Sequence, residues 1–127
     1  MERVIGLGGI FIKSKDPVAL REWYHTHLGI ASEEWGAVFS FTQDEADGKL
    51  GNNIWAPFKE DTKYFLPSAK DFMINFRVRN CEKLVDVLRG EGVEIIGELE
   101  KSEFGIFAWV LDPDGNKVEL WEPPAHS

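Results

Sequence analysis

The two halves of the chain carry the same order of features in the same register, and this limits the possible folds more than any single motif does. Aligning Leu20 with Leu84 brings Asp16 opposite Asn80, Lys13 opposite Arg77, Phe11 opposite Asn75 and Gly9 opposite Met73. Further on, Glu34-Trp35-Gly36-Ala37-Val38-Phe39-Ser40-Phe41 runs against Glu103-Phe104-Gly105-Ile106-Phe107-Ala108-Trp109-Val110, and Gly51-Asn52-Asn53-Ile54-Trp55 against Gly115-Asn116-Lys117-Val118-Glu119. A unit duplicated within one chain builds two like modules, each needing the other to cover its apolar face.

Each half reads as strand, helix, then three strands. Residues 4–13 form a strand with close backbone approaches at its glycines. Asp16 caps a helix with Pro17 in its first turn and Leu20, Trp23, Tyr24, His27 and Leu28 at helical spacing, and Gly29 ends it. Strands are expected over 31–34, 37–42 and 53–58, with a polar loop at 43–51. In the second half Phe72, Ile74, Phe76 and Val78 alternate with less apolar residues, giving a strand over 72–78 with one buried face. Asn80 caps a helix with the stripe Cys81, Leu84, Val85 and Leu88, ending at Gly90 or Gly92. A strand over 93–101 follows. A hairpin over 107–121 then turns at Asp112-Pro113-Asp114-Gly115, where Pro fixes φ and Gly accepts a positive one. The fold class is therefore α+β, two βαβββ modules over 4–58 and 71–123 joined by a connector at 59–70. With 127 residues, 43% of them hydrophobic, the whole makes one domain.

Charge and cysteine content exclude several classes. Against 14 Lys and Arg stand 22 Asp and Glu, a formal charge of −8, which disfavours nucleic acid and anionic membrane surfaces as partners. The single cysteine, Cys81, forms no internal disulfide and builds no cysteine-based metal site, which suits a reducing cytosol. No apolar run reaches the about 20 residues of a membrane span, and the first residues lack the pattern of a signal peptide, so a cytoplasmic location is expected.

The chain resembles the vicinal oxygen chelate superfamily, which groups glyoxalase I, fosfomycin-resistance transferases, extradiol dioxygenases and bleomycin-resistance proteins. The likeness spans nearly the whole chain. It is carried by Lys15-Asp16-Pro17 with Leu20 and Trp23-Tyr24, by His27-Leu28-Gly29, by Glu103-Phe104-Gly105, and by the terminal run from Asp112 to Trp121. The resemblance implies a U-shaped, eight-stranded cup with helices outside, a small molecule bound within, and a homodimer. Metal-dependent relatives take ligands from one position on the first and last strand of each module. Here those positions are Gly9, Trp55, Met73 and Glu119, of which only Glu119 is a hard-metal ligand. One carboxylate is not a divalent-metal site. His25 and His27 lie two apart on a helix and face different sides, and His126 is in the terminal tail.

Strand parity, with Glu119 turned inward, puts Gly9, Phe11, Lys13, Asn53, Trp55, Met73, Asn75, Arg77, Phe107, Trp109, Glu119 and Trp121 in the cup. That set makes an aromatic-lined site for a flat or partly apolar molecule, unless the rings simply fill a cup that has no ligand. A buried Glu119 needs a partner, and Arg77 or Lys13 is expected to be it. Two functions follow. One is a metal-free protein of the bleomycin-resistance kind that binds an aromatic or cationic organic molecule. The alternative is a metal-assisted lyase, isomerase or dioxygenase in which Glu119 is catalytic, as general base or as ligand to a divalent metal. A regulatory protein with no small ligand is the bland third reading.

Overall fold

The computed structural model describes residues 3–41 and 51–124. In chain order they form β1 (Val4–Ser14), α1 (Pro17–Leu28), β2 (Ala37–Phe41), β3 (Gly51–Lys59), β4 (Phe72–Val78), α2 (Cys81–Gly90), β5 (Glu94–Ile95), β6 (Glu100–Ser102), β7 (Gly105–Leu111) and β8 (Lys117–Glu122). The eight strands make one mixed sheet in the order β2-β3-β1-β4-β8-β7-β5, with β6 also paired to β7. This is the expected α+β architecture.

The modules join at the antiparallel pair β1–β4, where Ile10 faces Ile74 and Phe11 faces Met73. On either side of this seam the last strand of each module runs parallel to the first, β3 beside β1 and β8 beside β4. One chain thus supplies both halves of the sheet.

The caps form as their residue types dictate. Asp16 Oδ1 accepts from the Ala19 amide at 3.1 Å, and Gly29 closes α1 with φ 69°. Asn80 Oδ1 accepts from the Lys83 amide at 2.9 Å, and α2 ends at Gly90. Both helices pack on the face of the sheet away from the cup, but unequally. Leu84 and Val85 of α2 are buried with Val78, Ala108, Val110 and Leu120, each large side chain contributing about 1.5–3 kcal/mol through burial. No side chain of α1 is fully buried.

Three expectations change. The strand expected at 31–34 is a single bridge between Glu33 and Gly36, so the first module contributes three strands and the second five. The strand expected at 93–101 breaks into β5 and β6, with Gly97 at φ 68° between them. β3 starts at Gly51, two residues earlier than its periodicity suggests. The rest of the polar loop, 43–50, lies outside the described residues, as do Thr42 and His126.

Candidate ligand-binding cup

The ladders decide what faces the cup. Glu119 on β8 lies opposite Trp109 on β7 and beside Asn75 on β4, while Trp121 lies opposite Phe107 and beside Arg77. Across the seam, Phe11 on β1 is in register with Ala56 on β3. The connector supplies what the strands do not. It folds back so that Phe65 is fully buried among Phe11, Ala56, Met73 and Trp109, and Tyr64 stacks on Phe58 with ring centroids 5.6 Å apart.

Glu119 is the centre of this arrangement. It is 1% exposed, yet its carboxyl receives three donors. Asn75 Nδ2 donates to Oε1 at 2.6 Å, Trp109 Nε1 donates to Oε2 at 2.8 Å, and the Tyr64 hydroxyl donates to Oε2 as well. Burial raises the carboxyl's pKa above the usual glutamate value, while the three hydrogen bonds and the charge of Lys117 pull the other way. The Tyr64 phenol is also raised, by burial and by the neighbouring Glu119. Lys117 donates to the Tyr64 carbonyl at 2.6 Å, with its Nζ 5.1 Å from the Tyr64 ring centroid and 5.5 Å from that of Trp109. Burial lowers its pKa. Of the three groups on Glu119, the amide and indole N–H can only donate, so a proton on this carboxyl finds its acceptor in the Tyr64 oxygen.

Above this floor lies a cavity of about 560 Å³. Phe11, Ile54, Ala56 and Phe58 form one wall, Phe107 and Trp121 the other, and Trp35, Val38 and Phe104 its mouth. Phe107 sits between Trp109 and Trp121, its ring centroid 6.4 Å from each and the planes within 12°. The polar lining is Asn52, Tyr64, Asn75, Glu103 and Glu119.

Of the residues expected in the cup, Phe11, Asn75, Phe107, Glu119 and Trp121 line the cavity. Met73 and Trp109 are buried just behind its wall. Lys13 lies apart, its Nζ 5.8 Å over the Phe65 ring, and Arg77 Nε donates to the Leu7 carbonyl at 3.4 Å. The expectation that Arg77 or Lys13 would partner Glu119 is corrected, since neutral donors and the charge of Lys117 take that place. Trp55 is also corrected. Its ring lies 4.4 Å from Tyr24 of α1, on the outer face, and Ile54 turns inward instead. The repeat alignment that sets Trp55 against Glu119 is thus out of phase by an odd number of residues. Asn53 shares the outward parity of Trp55.

The donor set does not fit the divalent metal of metal-dependent relatives. A Cβ at Gly9 would stand 2.3 Å from the Ile54 carbonyl oxygen, and one at Gly8 would stand 1.9 Å from Asn75 Oδ1, so neither position has room for a ligand side chain. Met73 is a buried thioether, Ile54 and Ala56 have no donor, and the carboxyl of Glu119 is occupied by N–H and O–H groups. Among the described residues no three His, Cys, Asp or Glu side chains gather into a metal cluster.

Tyr64, Phe58, Ile54, Trp35 and Phe104 belong to the site but were not singled out by the sequence pattern. A signal for the first existed. Tyr64-Phe65-Leu66 is the one apolar trio in an otherwise polar connector.

Comparison with known proteins agrees with this geometry at the level of fold. Methylmalonyl-CoA epimerase from Streptomyces coelicolor, solved as a variant in complex with 2-nitronate-propionyl-CoA, superposes with a TM-score of 0.69 at 21% identity, covering 97% of this chain and 100% of that one. The Mycobacterium tuberculosis methylmalonyl-CoA epimerase gives 0.61 at 20% identity over 95% and 89% of the two chains. A glyoxalase/bleomycin resistance protein/dioxygenase superfamily member from Vibrio splendidus 12B01 gives 0.56 at 15% over 96% and 99%. No curated protein matches in sequence. The family model of this same superfamily matches residues 6–120, and with that span the chain belongs to the Glyoxalase/Bleomycin resistance protein/Dioxygenase superfamily.

Proposed function

We propose that this protein binds a small, partly aromatic organic molecule in its cup without the metal ion of metal-dependent relatives. The observation that carries this reading is the cavity of about 560 Å³, walled by aromatic rings and floored by a carboxyl that already receives hydrogen bonds from Tyr64, Asn75 and Trp109. Ring faces give a flat ligand large contact area at little entropic cost, and a few fixed polar groups orient it. The test is a screen of aromatic compounds by tryptophan fluorescence, with and without chelator. Binding in the micromolar range that is indifferent to chelator is the expected result. Silence across the library, or binding that needs added zinc, nickel, manganese or iron(II), would defeat the reading.

The enzyme reading has one observation in its favour, the contact between Tyr64 and a Glu119 whose pKa is raised by burial. A carboxylate so tuned is suited to take a proton from an acidic C–H, as in a lyase or isomerase. Turnover of a bound compound that survives Glu119→Gln would remove that role.

A homodimer and a cytoplasmic location complete the proposal. Large apolar side chains, among them Val4, Leu7, Ile10, Val18, Trp23 and Phe39, are exposed on the first module, where α1 covers the sheet poorly. Sedimentation at micromolar concentration tests the dimer. No helix among the described residues is long and apolar enough to cross a membrane.

A further inference from the structure

We infer that the ligand of this cup is an organic cation, a quaternary or protonated amine on an apolar body, gripped at the mouth by Trp35, Phe104 and the carboxylate of Glu103. The inference rests on the binding function proposed above and narrows it to one chemical class. Glu103 and Glu119 bring carboxyl groups to the lining and Tyr64 a phenol, and among the described residues no Lys, Arg or His lines the cavity. Asn75, 2% exposed, has its Nδ2 committed to Glu119 and so offers the cavity no free donor from that group. The rest of the wall is ring faces, which carry the negative end of the aromatic quadrupole. Carboxyl groups and ring faces together favour a cation and oppose an anion.

The mouth is built to the same purpose. Trp35 is 49% exposed and Phe104 is 67% exposed, two large aromatic side chains held in water at one opening. Neither sits on a slack loop. Each precedes a glycine at positive φ, Gly36 at 142° and Gly105 at 125°, and each glycine lies where a Cβ would collide with the backbone carbonyl of the neighbouring strand, Trp55 O at 2.1 Å and Glu122 O at 2.3 Å. The Phe104 carbonyl also accepts from Trp121 Nε1 at 2.9 Å, which ties this lip to the cavity wall. Backbone fixed in this way keeps both aromatic residues at the opening, where their ring faces meet an ammonium group.

The test compares three probes on the intact protein by tryptophan fluorescence and NMR titration. These are benzyltrimethylammonium, its neutral isostere neopentylbenzene, and benzenesulfonate. The cation is expected to bind at least tenfold more tightly than the isostere, and the sulfonate not to bind. Glu103→Gln should weaken the cation severalfold at low salt and leave the isostere unchanged, and Trp35→Ala and Phe104→Ala should each weaken it about tenfold. Equal or tighter binding of the isostere, or any preference for the sulfonate, would overturn the cation assignment while leaving an apolar-ligand cup intact. Cation affinity unmoved by all three variants would overturn the mouth as its seat. Silence from all three probes overturns this inference too, while the broad aromatic screen separately decides the function it rests on.

Discussion

The Tyr64 hydroxyl donates to Oε2 of Glu119, joining the connector between the modules to the last strand of the second. Hydrogen bonds to a charged acceptor contribute about 1.5–3 kcal/mol, and losing one from a buried site leaves the acceptor short of a donor. Tyr64→Phe keeps the ring that stacks on Phe58 and removes only the hydroxyl. It is expected to cost about 2 kcal/mol in urea unfolding at neutral pH. In a Glu119→Gln background the same change should cost clearly less. An equal cost in both backgrounds would show that the two side chains do not act together.

The pH dependence of stability follows from the direction of the Glu119 shift. Burial raises its folded pKa above the ordinary value of 4.5, so the folded state binds this proton more tightly than the unfolded chain. The stabilising contribution is complete below the unfolded value and is lost as pH rises from there through the folded value. Asp112 and Glu91 are shifted downward, by hydrogen bonds from Asn116 and Arg3 respectively, and act in the opposite sense. They titrate in wild type and variant alike. The difference in unfolding free energy, wild type minus Glu119→Gln, is therefore expected to fall as pH rises above the ordinary value of 4.5. A flat or rising difference would contradict a carboxyl raised by burial.

Most of the fold was legible because its signals are local. Caps at Asp16 and Asn80, the turn at Asp112 to Gly115 and the alternation from Phe72 to Val78 each depend on a few adjacent residues. The site was legible on β4, β7 and β8, where parity from Glu119 correctly turns Asn75, Phe107 and Trp121 inward. It failed on β3. Phase there depends on where the strand starts, and a repeat matched through Gly51 and Gly115 slips one residue relative to the ladder with β1, which turns Trp55 outward. Tyr64 was hidden for a different reason. It lies in no regular element, so no periodicity reports its direction, and only the long-range packing of Phe65 under the cup brings it to Glu119.

Gly9 is where metal-dependent relatives would place their first ligand, and backbone approach forbids a side chain there. A Cβ 2.3 Å from the Ile54 carbonyl oxygen cannot be relieved without parting β1 from β3. Gly9→Ala is expected to destabilise by more than about 2 kcal/mol, within the range of severe backbone and packing defects. Gly29→Ala is the control. Nothing lies within 4 Å of its Cβ, so the only penalty is the positive φ of 69°, about 1 kcal/mol. Chemical denaturation ranks the two. Should Gly9→Ala be as stable as wild type, the close register of β1 and β3 would be wrong, and the first ligand position would be open after all.

The opposite orientations of Trp55 and Trp121 make a test of the cup that needs no knowledge of the natural ligand. Trp121 lines the cavity, with its ring 6.4 Å from Phe107, whereas Trp55 packs against Tyr24 on the far side of the sheet. A compound entering the cup meets the first indole and cannot touch the second. Fluorescence quenching by benzyltrimethylammonium is expected to persist in Trp55→Phe and to lose amplitude in both Trp121→Phe and Trp35→Phe. Trp109 serves as the internal reference, because it lies buried behind the wall on Glu119. Trp109→Phe should change the signal little. If Trp55→Phe instead abolishes the response, the compound binds on the helix-covered face, and the cavity above Glu119 is not the seat of recognition.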